Sequence, residues 1–184
     1  MHYTVNIAGV KRNLPLCKVT DDLYIAAFIL LGDQEVTVAC AKALLEKAPE
    51  YDYLLTAEAK SIPLIHEMAR QHGDKQYIVA RKGTKIYMES PLQVPVRSIT
   101  TDRQQYLYLS GQEKDVIKGK RILIIDDVIS TGESLIALET LVNTAGGTIV
   151  GKMAVLAEGD AANREDITCL SPLPLFHADG TIIE

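Results

Sequence analysis

Two adjacent carboxylates, Asp126 and Asp127, stand between an apolar run, Ile122-Leu123-Ile124-Ile125, and a hydroxyl-rich turn, Ser130-Thr131-Gly132-Glu133-Ser134. A short apolar run of this kind suits a strand buried on both faces, with the acids at its exit. After the turn, Leu135, Leu138, Val142 and Ala145 have the spacing of an amphipathic helix, closed by Gly146-Gly147. Strand, turn and helix N-terminus bring free backbone N–H groups and the positive end of the helix dipole to one point, where a phosphate is welcome. Ser130, Thr131 and Ser134 add hydroxyl donors, and Gly132 lets the main chain close around an anion. The acids narrow the ligand further. They would repel a bare polyphosphate, but ionised carboxylates accept hydrogen bonds from vicinal hydroxyls. A 5-phosphorylated ribose carries both features. Neither a GxxxxGK[ST] loop nor a GxGxxG turn is present.

The elements around this stretch alternate. Tyr3 to Ala8 has a strand pattern, and Cys17 to Leu31 suits a hairpin about Thr20-Asp21-Asp22. Asp33 is placed to cap a helix running to about Ala48, with Pro49 ending it. Asp52 to Thr56 reads as a buried strand, and Ser61 to His72 as a helix with Pro63 in its first turn and Gly73 as its stop. Strands are expected at Gln76 to Ala80, Ile86 to Met88, Tyr106 to Leu109 and Thr148 to Leu156. Glu89 to Arg103 has two prolines and little periodicity, the signature of a long irregular segment or lid. Such alternation predicts a mostly parallel, doubly wound α/β sheet.

With 184 residues and 47% apolar composition, the chain is long enough for one domain with a proper core. A net charge of -5 argues against a nucleic-acid or membrane surface. No apolar run reaches membrane-spanning length, and the N-terminus lacks a signal-peptide core. Cys17, Cys40 and Cys169 are odd in number and widely spaced, as reduced cytoplasmic thiols are, and the four histidines have no metal-site spacing.

Two further loops leave the ends of expected strands. Ala57-Glu58-Ala59-Lys60-Ser61 follows the first, where open α/β sheets bind ligands. Arg81-Lys82-Gly83-Thr84-Lys85 follows another and gathers three cations, enough to clamp a diphosphate. Each also has a plainer reading as a solvated loop.

The stretch IDDVISTGES resembles the phosphoribosyl-diphosphate (PRPP) signature of type I phosphoribosyltransferases. A receiver domain, which also ends its first strand in paired acids, would need about a hundred residues after them, more than remain here. The resemblance covers about residues 33 to 160. It implies that Val128, Ile129, Ser130, Thr131, Gly132, Glu133 and Ser134 hold the 5-phosphate, with Asp126 and Asp127 on the ribose hydroxyls. Glu58, Ala59, Lys60 and Ser61 resemble the pyrophosphate loop of the adenine and xanthine enzymes, with Lys60 in place of an arginine and Ser61 in place of a glycine. Arg81, Lys82 and Lys85 match that group's ARK-x-x-K element. Glu89 to Arg103 falls at the flexible catalytic loop, where Arg97 to Asp102 lacks the adenine enzymes' loop glutamate.

What the resemblance implies is a single domain over 1–184, with a hood from about 1–32 and 157–184 in which Glu158 and Asp160 lie beside the base. The expected activity is transfer of the phosphoribosyl group from PRPP to a purine in salvage, with adenine favoured over xanthine. Asp126, Asp127 and Lys60 are the expected catalytic residues. Mg²⁺ is expected to be held mainly by PRPP, and the protein to be a cytoplasmic homodimer without nucleic-acid or membrane partners. A PRPP-binding regulator without turnover is the alternative, although no helix-turn-helix character precedes Asp33.

Overall fold

The computed structural model of the chain describes residues 1–96 and 105–183. It opens with a meander: β1 (His2–Ile7) turns through Ala8 and Gly9 into β2 (Val10–Lys18), which pairs with β3 (Tyr24–Ala26). Then come α1 (Gln34–Leu45), β4 (Tyr53–Ala57), α2 (Ile62–His72) and β5 (Ile78–Ala80). An antiparallel ribbon, β6 (Leu92–Val96) with β7 (Gln105–Leu109), leads to the short helix α3 (Gly111–Ile117). The rest is β8 (Arg121–Ile129), α4 (Glu133–Ala145), β9 (Thr148–Glu158), a 3₁₀ turn at Gly159–Asn163, β10 (Thr168–Leu173) and β11 (Leu175–Phe176).

Five strands make a parallel sheet in the order β10-β9-β8-β4-β5. β8 is central, which explains its uninterrupted apolar run. Leu123 and Ile125 face a core shared with α1, α2 and the meander, while Ile122 and Ile124 face a second core with α4 and the ribbon. Successive side chains point to opposite faces, so a strand covered on both faces cannot alternate with polar residues. From β4 the chain moves through α2 to β5 on one side. From β8 it moves through α4 to β9 on the other. The direction reverses between β4 and β8, and a crevice opens at the carboxyl ends of those strands.

A hood stands over this sheet as a second, four-stranded sheet, β1-β2-β3-β11. Asp33 ties the two together. It caps α1 by accepting the Val36 N–H at 3.3 Å, and it accepts Arg12 Nε and Nη2 from β2 at 2.7 and 2.9 Å. That guanidinium holds the Asp33 carboxyl below its usual range.

Several expectations are corrected. Ile86 to Met88 is a turn, not a strand, with Ile86 and Tyr87 exposed. β6 occupies part of the segment expected to be irregular; its pairing with β7 overrides the weak periodicity and Pro95. Arg97 to Asp102 lies outside the described residues. The acids do not follow their strand, because β8 runs on through them to Ile129, still paired with β9. Helix α3, marked in the sequence by the Ser110 and Glu113 capping box, was not expected. The C-terminal stretch divides: β10 joins the parallel sheet and β11 the hood.

Replacing Asp33 by Ala is expected to cost about 1–2 kcal/mol and lower the thermal midpoint by about 2–4 °C per kcal/mol. Asp33→Asn, which keeps a capping oxygen but loses the charge toward Arg12, should retain most of that stability in a thermal melt.

Candidate active site

The crevice is built from β8 on one wall and the turn after β4 on the other. Pairing between the two strands ends at Leu55 and Ile124. Beyond that point β8 carries Asp126 and Asp127, and the space that β4 vacates is filled by the N-terminus of α2. Ser61 is buried there. Its Oγ lies 2.7 Å from Asp126 Oδ1 and 3.1 Å from Asp127 Oδ1, and accepts the Asp127 N–H at 2.9 Å. One hydroxyl proton cannot serve both carboxylates at once. Its side chain thus turns inward and positions the acid pair.

Lys60 reaches across from the same turn, with Nζ 3.3 Å from Asp127 Oδ2. That oxygen is buried and accepts no hydrogen bond among the described residues. Asp127 is therefore an acceptor with unused capacity. Burial, and then the charge of Asp127, push the Asp126 carboxyl above its usual range.

Val128 to Leu135 wrap a cavity of about 80 Å³ together with Asp126. Ile129 is buried in one core and Val128 packs on the other, so their side chains hold the loop in place. The hydroxyl-bearing residues Ser130, Thr131 and Ser134 are exposed at the cavity, and Glu133 is half-buried. Gly132 caps α4 in the left-handed region at φ 81°, a conformation that favours glycine.

The other rim carries the cations. Glu58 accepts the Lys82 N–H at 2.9 Å and faces Arg81 Nη1 at 3.5 Å. The Lys82 amide first, then the Arg81 and Lys85 charges, hold the Glu58 carboxyl below its usual range. The Arg81 backbone is also anchored, exchanging hydrogen bonds with Tyr108 of β7 at 2.9 and 2.8 Å. Lys82 and Lys85 are exposed on the open loop, as is Ala59. The three cations of this loop are thus one anchored arginine and two outstretched lysines.

Glu158 ends β9, half-buried. Burial raises its carboxyl while the Lys60 charge pulls it down. Lys60 is therefore within electrostatic reach of both Asp127 and Glu158. Asp160 is exposed. Arg164, which carries no motif and was not expected at the site, lies against Gly132. A larger cavity, about 430 Å³, lies between α1 and α2 beside Asp33, His66 and Glu67. Its Glu67 is already tied to Arg70 and Gln71, and none of the crevice residues lines it.

This arrangement offers a phosphate cavity, an acid pair at its edge and a cationic rim opposite. Residues 33–179 match the phosphoribosyl transferase domain family, and the chain belongs to that family. It is similar to a hypoxanthine/guanine phosphoribosyltransferase of Methanococcus voltae, 37% identical over 131 residues, covering 71% of this chain and 66% of the relative. A second relative of the same name, from a Methanocaldococcus species, is 36% identical over 111 residues, covering 60% of this chain and 53% of the relative. The chain thus spans about half to two thirds of the length of these curated relatives. In fold it is similar to the adenine phosphoribosyltransferase of Rhodothermus marinus, with a TM-score of 0.64 at 22% identity over 94% of both chains. The Thermoanaerobacter pseudethanolicus protein of that name gives a TM-score of 0.63 at 20% identity, over 78% of this chain and 84% of the other.

The raised Asp126 carboxyl sets a pH dependence of stability. A carboxyl whose folded value lies above the unfolded value of about 3.9 binds its proton more tightly in the folded state. Stability is then gained as pH falls between the two values, and the ionised group costs stability above them. Asp126→Asn is expected to melt higher than the parent protein at about pH 8, with the difference closing toward about pH 4. Equal melting points at the higher pH would contradict the assigned burial.

Proposed function

We propose that the protein is a purine phosphoribosyltransferase, moving the phosphoribosyl group of PRPP to a ring nitrogen of a purine and releasing pyrophosphate. The observation that carries this is the hydroxyl-rimmed cavity of Val128 to Leu135 with the Asp126 carboxylate at its edge. A sugar phosphate satisfies both: its phosphate fills the cavity and its vicinal hydroxyls donate to the acids.

On this reading the 5-phosphate is held by the main-chain amides of Val128 to Ser134 and by the hydroxyls of Ser130, Thr131 and Ser134. Asp126 and Asp127 accept from the ribose hydroxyls and fix the ring, with Ser61 holding the acids in register. Lys60, Lys82 and Lys85 steady the departing pyrophosphate, and Glu58 keeps Arg81 and the Lys82 amide in place. As the C1–diphosphate bond breaks, positive charge grows on the ribose beside the two carboxylates, and negative charge grows among the lysines. Both changes are stabilised by groups already in position. The donor set suits Mg²⁺: the hard carboxylate oxygens of the acid pair beside a ligand rich in phosphate oxygens. Asp126, the acid that lines the cavity, would help the diphosphate oxygens to hold it, and when bound the ion would neutralise the diphosphate as it leaves.

For the base, the names of the curated relatives support hypoxanthine or guanine. Adenine is a second reading, supported by the Glu58 to Ser61 turn and by Arg81, Lys82 and Lys85, which resemble the adenine and xanthine group. A product assay with PRPP and Mg²⁺, offering adenine, xanthine, hypoxanthine and guanine separately, decides between them. Asp127→Asn is expected to lower turnover roughly tenfold or more while the fold survives. An unchanged rate would remove the acid pair from the mechanism. Nucleotide formation from no base, with PRPP binding intact by calorimetry, would replace the enzyme by a PRPP sensor.

A further inference from the structure

The phosphate cavity has a charge problem. Its lining includes the carboxylates of Asp126 and Glu133 and no lysine or arginine. A phosphate dianion entering it meets main-chain and hydroxyl donors and the helix N-terminus, but no full positive charge. The fold brings one cation against the wall of this cavity from outside the loop. Arg164, one residue beyond the 3₁₀ turn that follows β9, lies so close to Gly132 that a Cβ built there would stand 2.7 Å from Arg164 Nη1.

The guanidinium is held in a fixed plane. Its Nε and Nη2 fork onto Asp166 Oδ1 and Oδ2 at 2.9 and 2.8 Å. Asp166 also takes the ammonium of Lys152 from β9, and Lys152 reaches Glu139 of α4 at 2.8 Å. Four alternating charges thus run along the flank of α4 and end at its first turn. The bidentate fork uses two of the three guanidinium nitrogens. Nη1, the one beside Gly132, makes no hydrogen bond among the described residues. A charged donor presented in a fixed direction, its fork already ordered by Asp166, has little conformational freedom left to lose when an anion arrives.

We propose that Arg164 is a phosphate-binding residue of this site, its Nη1 donating to the 5-phosphate held by Val128 to Ser134. Asp166 and Lys152 are its positioning residues. The assignment rests on the PRPP reading above and extends it, since it names the cation that the loop lacks. It also accounts for Gly132 beyond its backbone conformation: any side chain there would displace the guanidinium.

The test is calorimetric titration of the parent protein, Arg164→Gln and Arg164→Lys with ribose 5-phosphate and, separately, with magnesium pyrophosphate. Arg164→Gln is expected to weaken ribose 5-phosphate by ~10- to 100-fold, the loss of one charged hydrogen bond, and to raise KM for PRPP in step. Pyrophosphate, bound at the opposite rim, should be unaffected. Arg164→Lys should recover only part of the loss, because an ammonium cannot fork onto Asp166 and still point at the loop. Unchanged ribose 5-phosphate binding in Arg164→Gln would overturn the assignment alone. Equal weakening of both ligands, with a lowered thermal midpoint, would overturn it in favour of a merely structural arginine. A parent protein that binds neither PRPP nor ribose 5-phosphate would instead bring down the PRPP reading, and this assignment with it.

Discussion

Everything at the crevice depends on keeping two adjacent carboxylates at the edge of an anion cavity. Removing such charges from water is costly unless hydrogen bonds and counter-charges offset it. Here the compensation is small: the Ser61 hydroxyl between the acids, the Asp127 N–H on Asp126 Oδ1 at 2.9 Å, and the Lys60 ammonium at 3.3 Å. Lys60 is more than half exposed, so its attraction is screened and contributes little to stability. On the proposed function the acids are held for what they bind, at the expense of the empty fold.

This requirement explains where the site sits in the sheet. β9 continues beside Asp126 and Asp127 on one side, so the opening lies on the other, where β4 stops short of them. Because the chain winds outward in opposite directions from β4 and β8, pairing between these strands stops at Ile124, and the N-terminus of α2 drops into the gap. The reversal supplies both the opening and the residues that line it. The two ends of a PRPP-like ligand then meet different chemistry. A rigid loop of amides and hydroxyls, pinned by Val128 and Ile129 in the two cores, suits the end that stays attached. Exposed lysines on a longer loop suit the end that must leave.

Much of this was legible in the sequence, for identifiable reasons. The Ile122 to Ile125 run could only be a central strand, Asp33 and Gly73 are strong helix boundaries, and the acid pair with its loop is continuous in the chain. What stayed hidden depends on contacts between distant segments. Ser61 read as the junction of a loop and a helix, whereas its side-chain partners are 65 and 66 positions away. β6 is a strand only because β7 pairs with it. Arg164 is one arginine among polar residues until Asp166, Lys152 and Glu139 are seen to aim it. The Ser110–Glu113 capping box is different: its signal was local and open to recognition.

The choice of base is the property least determined by the fold. Adenine enzymes share the architecture at 20 to 22% identity, while relatives at 36 to 37% carry the name hypoxanthine/guanine. The distinction is a reversal of hydrogen bonding: adenine offers an amino donor where a 6-oxopurine offers a carbonyl acceptor. A site built for one leaves buried groups unpaired with the other, and that penalty, more than shape, separates them. On the resemblance that places Glu158 beside the base, few atoms decide this. Ionised, Glu158 can only accept, from the N–H groups of guanine or hypoxanthine or from the amino group of adenine; protonated, it can also donate, as a 6-carbonyl requires. Burial favours the second state and Lys60 the first. Lys60 also faces Asp127, so ribose hydroxyls arriving at Asp127 would compete for the carboxylate that Lys60 shares. The chemistry at the acid pair and the hydrogen-bonding character of the base side are thereby joined through one lysine.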